Sequence, residues 1–255
     1  MSSSPRTEYP PLDRSAVAAQ LVGGAVLLAL LLWLAGRVIA GLGGSSSLGA
    51  WEDDVTAWFE AQRTPGLDSI THVASYLAET VTCVAVLIVA MVVLRLWLGR
   101  WRESVALLLA LAGEVVIFLA VSAAVERDRP DVSQLDDAPP TSSFPSGHMG
   151  AAVALYGTLA VILLREVRVR WVARLLATLL LLIPVAVGLA RLYRGMHYPT
   201  DVIFGAVNGG VWAWLVIATV LPRPQRQPTL PSAAGGTGQP EDVPERGKPP
   251  VRGEP

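Results

Sequence analysis

Three short polar clusters interrupt an otherwise apolar sequence, and each carries side chains suited to acid–base or nucleophilic chemistry. The clusters are residues 126–130 (ERDRP), 142–148 (SSFPSGH) and 191–201 (RLYRGMHYPTD). Two of the three histidines of the chain, His148 and His197, lie in them. Imidazoles beside arginines favour transfer of a phosphoryl group, because guanidinium groups bind phosphate oxygens in a bidentate manner.

The spacing of the third cluster predicts a nucleophile. Pro199 suits the first turn of a helix, so Asp201 should lie about one turn beyond His197. A carboxylate at that distance can hold one imidazole N–H and leave the other nitrogen to attack phosphorus. His148 is a second imidazole that could protonate a leaving oxygen. This chemistry, which proceeds through a phosphohistidine, requires no metal, and Cys83 as the single cysteine excludes a cysteine-based zinc site.

The same clusters contain groups that bind anions. Arg127, Arg129, Arg191 and Arg194 supply guanidinium groups. Ser146 and Gly147 precede an apolar run, and at the start of a helix free backbone N–H groups and the helix dipole attract an anion. For Arg194, the sequence favours neither of two interpretations, contact with phosphate or contact with lipid headgroups.

The composition predicts the elements that must position these clusters. Hydrophobic residues make up 52% of the 255-residue chain and charged residues 16%, whereas soluble domains carry about 25% charged residues. Six apolar stretches approach the roughly 20 residues that a membrane-spanning helix needs; they are residues 17–39, 74–96, 104–125, 148–164, 172–190 and 202–221. We therefore expect an all-α polytopic membrane protein with six transmembrane helices in a bundle.

Arginines predict the orientation of this bundle. They concentrate in the second and fourth connections, at Arg95, Arg100, Arg102, Arg165, Arg168, Arg170 and Arg174. The positive-inside rule places these connections, and with an even number of spans both termini, in the cytoplasm. The third and fifth connections, which hold the polar clusters, then meet on the extracytoplasmic side. The acidic first connection also lies outside, with an interfacial helix that presents Trp51, Trp58 and Phe59 to headgroups.

We divide the chain into a cytoplasmic N-terminal segment (1–16), a six-span domain (17–221) and a cytoplasmic tail (222–255). The tail is rich in proline and glycine and has no apolar face, which predicts disorder. A net charge of −1 argues against binding of nucleic acid.

The clusters resemble the three-part signature of the type 2 phosphatidic acid phosphatase family, which shares its fold with vanadium haloperoxidases. That signature reads K-x(6)-R-P, P-S-G-H and S-R-x(5)-H-x(3)-D. The sequence matches it at Arg129 and Pro130, at residues 145–148, and at Arg191, His197 and Asp201. It departs in two places. Ser122 stands where the signature has lysine, and Ala190 where it has serine.

The resemblance implies a role for each matching residue. His197 would be the nucleophile and Asp201 its orienting partner, while His148 would protonate the leaving group and then activate water. Arg129, Arg191, Ser146 and Gly147 would bind the phosphoryl oxygens. Because Ser122 supplies no cation, we expect Arg127 to take over phosphate binding; the alternative is an ion pair with Glu126, Asp128 or Asp131 in a solvated loop.

By this resemblance, the expected function is that of a membrane lipid-phosphate phosphatase without metal or cofactor. Its substrate would be phosphatidate, phosphatidylglycerophosphate or a polyprenyl diphosphate. Two alternatives stay open: a lipid phosphotransferase with an alcohol acceptor, and a non-catalytic relative that binds or transports lipid. A haloperoxidase fits six apolar spans poorly. The motifs do not encode the lipid tail, the choice between monophosphate and diphosphate, or the oligomeric state.

Overall fold

The computed structural model describes residues 13–43, 46–138 and 140–222, and within these ranges every regular element is a helix. The helices are α1 (Arg14–Gly41), α2 (Ser47–Ala61), α3 (Pro65–Tyr76), α4 (Thr80–Leu98), α5 (Arg102–Ala124), α6 (Gly147–Glu166), α7 (Arg170–Tyr193) and α8 (Pro199–Val220). Six of them, α1 and α4–α8, are long and apolar enough to cross a membrane. The predicted all-α fold with six spans is confirmed.

Helices α5, α6 and α8 form the centre of the bundle, with α1 and α4 packed against α5 and α7 packed against α6. Glycines allow α6 and α8 to approach closely, as is common where membrane helices pack. A Cβ atom on Gly205 would lie 2.4 Å from the Ser146 carbonyl oxygen, and one on Gly209 would lie 2.3 Å from that of Gly150. The middle of α6, Val153–Gly157, is a π-helical turn.

The first connection folds into two helices, α2 and α3, rather than the single interfacial helix we expected. The second span consequently begins at Thr80 and not near Ala74, because Ala74 belongs to α3. Hydrogen bonds join the segment between α2 and α3 to the last residue of α7: Arg63 donates to the Tyr193 carbonyl oxygen at 3.2 Å, and the Thr64 amide donates to the Tyr193 hydroxyl at 3.0 Å. The helix pair therefore lies at the same end of the bundle as the polar clusters.

The opposite end of the bundle carries the basic connections. Arg102 and Arg165 donate hydrogen bonds to the carbonyl oxygens of Val220 and Leu221 at the end of α8, at 2.6 and 2.5 Å. Basic side chains at a helix C-terminus satisfy free carbonyl groups and interact favourably with the helix dipole. Residues 1–12 and 223–255, which include most of the two predicted terminal segments, lie outside the described residues.

Candidate active site

The three polar clusters meet around one cavity of about 690 Å³. Arg129, Gly147, His148, Arg191 and His197 all contribute to its wall. These residues come from the third connection, the start of α6, the end of α7 and the fifth connection. The chain thus brings together two imidazoles and two guanidinium groups that are far apart in sequence.

His197 presents one defined ring nitrogen for chemistry. Its Nδ1 atom lies 2.8 Å from the carbonyl oxygen of Ser143. Because a carbonyl oxygen can only accept a hydrogen bond, Nδ1 carries the hydrogen and Nε2 keeps its lone pair. Burial is the largest cause that lowers the pKa of His197, and the charges of Arg191 and Arg129 lower it further against the opposing effect of Asp201. A lowered pKa keeps the ring neutral, as a nucleophile requires.

Asp201 lies in the first turn of α8, where it is fully buried. Its Oδ2 atom accepts the Tyr198 amide at 2.8 Å and the Ser143 hydroxyl, and it lies 3.8 Å from Nδ1 of His197. The direct hydrogen bond that the spacing suggested is therefore replaced by a bridge. Ser143 donates its hydroxyl to Asp201 and accepts the His197 N–H on its carbonyl oxygen. The sequence placed Ser143 in the second cluster but did not indicate this role.

The start of α6 supplies backbone donors, although not all those expected. His148 and Gly147 are half-buried in the cavity wall. Ser146, in contrast, is fully buried, and its amide donates to the carbonyl oxygen of Asp201 at 2.9 Å. The free amides of the first helical turn therefore begin at Gly147.

Arg129 and Arg191 lie in the cavity wall with different partners. Arg129 donates to the Met196 carbonyl oxygen at 2.7 Å, and burial lowers its pKa while Asp201 opposes that effect. Arg191 donates from Nη1 to the Ser75 hydroxyl at 2.8 Å and to the carboxylate of Asp136 at 2.9 Å. Its buried Nε atom has no hydrogen-bond partner.

Asp136 joins Arg191 to Arg194. Burial favours a raised pKa for Asp136, but hydrogen bonds and charge from Arg194 and Arg191 outweigh it, so the pKa lies below its usual value. Arg194 is buried, and besides Asp136 it contacts the carbonyl oxygens of Asp68 and Leu135 at 3.0 and 2.9 Å. Neither role considered for Arg194 describes this geometry, since the side chain ties the third connection to α3.

Arg127 also differs from both expectations. Its Nη2 atom lies 2.6 Å from Oε2 of Glu52, and its Nη1 atom contacts the carboxylate of Asp201 and, at 2.8 Å, the Thr200 hydroxyl. The ring of Tyr198 stacks on the guanidinium group at 4.5 Å. The side chain is thus enclosed between two carboxylates and lies outside the cavity wall of the described residues, instead of contacting phosphate or an acidic neighbour in a solvated loop.

Further residues of the cavity wall carried no sequence signal. They are His72, Ser75 and Glu79 near the end of α3 and the start of α4, and Asp136 and Asp137 in the third connection. Ser122, where the signature has lysine, is buried in α5 and is not part of this wall. In the part of the chain that the structure describes, no group of three or more His, Cys, Asp or Glu side chains could hold a metal ion.

One part of the cavity wall is apolar, and we call it the apolar limb. It consists mainly of residues of α4, α5 and α6, namely Cys83, Val84, Leu111, Val115, Phe118, Leu119 and Ala151. A polar end joined to an apolar limb suits an amphiphilic ligand.

Comparisons with known proteins agree with this architecture. The profile of the PAP2 superfamily matches residues 103–224. The structure resembles the transmembrane PAP2-type phosphatidylglycerolphosphate phosphatase from Bacillus subtilis, with a TM-score of 0.66 and 22% identity over 77% of this chain and 94% of that one. It also resembles LpxE from Aquifex aeolicus, with a TM-score of 0.52 and 25% identity over 64% and 93% of the two chains. No curated protein matches the sequence significantly.

Proposed function

Because residues 103–224 match the PAP2 superfamily and six helices of the chain are suited to cross a membrane, we propose that the chain is a lipid-phosphate phosphatase. The observation that carries this proposal is the cavity that holds His148, His197, Arg129 and Arg191 at its polar end and an apolar limb between α4, α5 and α6. The polar end suits a phosphoryl group, and the limb suits the hydrocarbon of the same molecule.

The first half of the proposed reaction transfers the phosphoryl group to the protein. Nε2 of His197 attacks phosphorus, the bond between phosphorus and the lipid oxygen breaks, and His148 gives a proton to that oxygen. Arg129, Arg191 and the free amides at the start of α6 stabilise the charge on the phosphoryl oxygens. The orientation of His197 that this step needs comes from the Ser143 carbonyl oxygen.

The second half releases inorganic phosphate. His148, now neutral, takes a proton from water, which attacks the phosphohistidine and breaks the bond between phosphorus and nitrogen. The proton then lies on His148 for the next cycle. No step requires a metal ion, so we expect full activity in the presence of a chelator.

The positive-inside rule supports an extracytoplasmic position for this site. The basic residues of the second and fourth connections lie at the end of the bundle opposite to the cavity, where Arg102 and Arg165 contact the end of α8. In this orientation the helix pair α2–α3 and the cavity face away from the cytoplasm, and the termini lie inside. Candidate substrates are phosphatidate, phosphatidylglycerophosphate and polyprenyl diphosphates.

Phosphate release by the purified full-length protein tests the proposal. We expect release from at least one of the three lipids with and without chelator, and an acid-labile phosphoprotein when the reaction is quenched early. His197→Ala should lose both. His72→Ala is a matched control, because it removes another imidazole from the cavity wall and should still form the phosphoprotein. Absence of phosphate release from all three lipids would contradict the proposal, and transfer to an added alcohol would identify a phosphotransferase instead.

A further inference from the structure

Glu114 is a buried carboxyl group of the cavity wall for which the proposed reaction has no use. It lies in the middle of α5, where its relative exposure is 1%. Its Oε1 atom accepts a hydrogen bond from Nδ2 of Asn208 at 3.0 Å, and its Oε2 atom has no hydrogen-bond partner. Apolar neighbours in the wall are Leu111, Val115 and Ala151. A polar atom without a partner in such surroundings is costly unless a ligand satisfies it.

Glu114 lies close to the catalytic groups and on their membrane side. A Cβ atom on Gly150 would lie 2.0 Å from its Oε1 atom. Gly150 follows His148 by two residues on α6, about 3 Å along the helix axis but on a different face. His148 and Glu114 both contribute to the wall of the same cavity, so a ligand whose phosphoryl group contacts His148 can extend through that cavity to Glu114.

The chemistry of Glu114 selects among amphiphilic phosphates. Among the described residues, no basic side chain pairs with Glu114, and an isolated ion in apolar surroundings is strongly unfavourable, so the group is an uncharged carboxylic acid. It offers an O–H donor and an acceptor. In a diacylglycerol phosphate, ester oxygens follow a few bonds after the phosphate and can accept this hydrogen. In a prenyl phosphate, the same region is hydrocarbon.

We propose that Glu114 forms a subsite for the ester oxygens of a glycerol backbone, and that it makes glycerophospholipid phosphates the preferred substrates over prenyl phosphates. This inference rests on the proposed phosphatase function. The geometry that carries it is the position of Glu114 in the cavity wall, with its Oε1 atom beside Gly150 in the first turn of α6 and its Oε2 atom without a hydrogen-bond partner.

The test compares kcat/KM of purified protein for dioleoyl phosphatidate and for farnesyl phosphate, two monoesters that differ in the region beside Glu114. Glu114→Leu should lower the ratio of the two values about tenfold, as expected for one lost hydrogen bond, whereas Glu114→Gln, which keeps a donor and an acceptor, should retain most of the preference. Thr158→Val is a matched control, since Thr158 is equally buried on α6 but outside the cavity wall, and it should leave the ratio unchanged.

A second comparison needs no variant. Wild-type protein should hydrolyse ester-linked dioleoyl phosphatidate with a higher kcat/KM than the dialkyl ether analogue, because ether oxygens accept hydrogen bonds less well than carbonyl oxygens. Equal values for ester and ether lipids, or an equal loss on both substrates in Glu114→Leu, would overturn the inference while leaving the phosphatase function intact. A wild-type protein that hydrolyses a polyprenyl diphosphate but no phosphate monoester of a lipid would overturn the inference alone, and one that releases phosphate from none of these lipids would overturn both.

Discussion

The carboxylate of Glu52 lies 2.6 Å from the guanidinium group of Arg127, across 75 residues of sequence. The other outer nitrogen of Arg127 contacts Asp201, so a single arginine joins α2 to the first turn of α8. The side chains of Arg127 and Glu52 are almost fully buried, at 8% and 3% exposure. Through Asp201 and Ser143, this ion pair is connected to the ring of His197. We infer that Arg127 positions the nucleophile instead of binding phosphate.

Arg127→Lys should lower kcat by about tenfold to a hundredfold and leave KM for a lipid phosphate nearly unchanged. Lysine keeps the charge but cannot contact Glu52 and Asp201 together with a planar fork, and a lost buried hydrogen bond to a charged group corresponds to roughly 1.5–3 kcal/mol. Steady-state kinetics on purified protein provide the measurement. Arg168→Lys, at an exposed position of the fourth connection, is the matched control and should be silent.

Adding Ser122→Lys separates the two roles of Arg127. If Arg127 bound phosphate, a lysine at the signature position would recover part of the activity lost in Arg127→Lys. For a positioning residue we expect no recovery of kcat, because Ser122 is outside the cavity wall and Asp201 would still lack its partner. Recovery to within about threefold of wild type would restore the phosphate-binding interpretation.

His148→Ala should slow hydrolysis of a lipid phosphate far more than hydrolysis of an activated aryl phosphate. A lipid alkoxide is a poor leaving group and needs the proton that the proposed mechanism assigns to His148, whereas a nitrophenolate leaves without one. General acid catalysis typically contributes about 10²–10⁴-fold, so the ratio of the two kcat values should change within that range. An equal loss on both substrates would argue against the acid role of His148.

The pH dependence of kcat/KM should reflect the neutral state of His197. Its pKa is lowered by burial and by Arg191 and Arg129, so the proposed nucleophile stays unprotonated at the ordinary histidine value of about 6.5 and the acidic limb of the profile lies at lower pH. The substrate phosphate also ionises, with a pKa near 6. Its ionisation is measured separately, and kcat/KM is calculated for the reactive ionic form alone. Arg129→Gln removes a charge that lowers this pKa, so its acidic limb should move to higher pH, and a shift in the opposite direction would contradict the assignment.

Cysteine labelling in intact cells tests the orientation of the bundle. In a Cys83→Ala background, Gln134→Cys in the third connection should react with a membrane-impermeant reagent, and Arg168→Cys in the fourth should react only after permeabilisation. Both positions are exposed and at opposite ends of the bundle. The reverse labelling pattern would place the candidate site in the cytoplasm.

Features that are determined by residues close together in the sequence could be predicted. Apolar length fixed the number of spans, and the motif positions of His148, His197, Arg129 and Arg191 all lie in one cavity wall. Contacts between distant segments could not be predicted. Glu52 occupies a connection that appeared only acidic and interfacial, and nothing in its neighbourhood indicates that it meets Arg127.

Local geometry also misled one prediction about Asp201. The spacing of four residues suggested a direct hydrogen bond with His197, but the first turn of α8 directs the carboxylate towards the Tyr198 amide and the Ser143 hydroxyl. A helix N-terminus has free N–H groups that compete for such an oxygen. Only the packing of the second cluster against α8 determines that Ser143 joins the two residues.

Asp136 acts as a built-in counter-ion in the cavity wall, because its carboxylate contacts both Arg191 and Arg194. A phosphoryl group that approaches Arg191 at Nη1 would therefore compete with an anion already bound there. Inorganic phosphate gains only the difference between the two ion pairs, whereas a lipid substrate adds the burial of its hydrocarbon to that difference. In the proposed reaction, competition of this kind would favour a phosphate with a tail over one without, and it would ease the release of inorganic phosphate after the tail has been cleaved off.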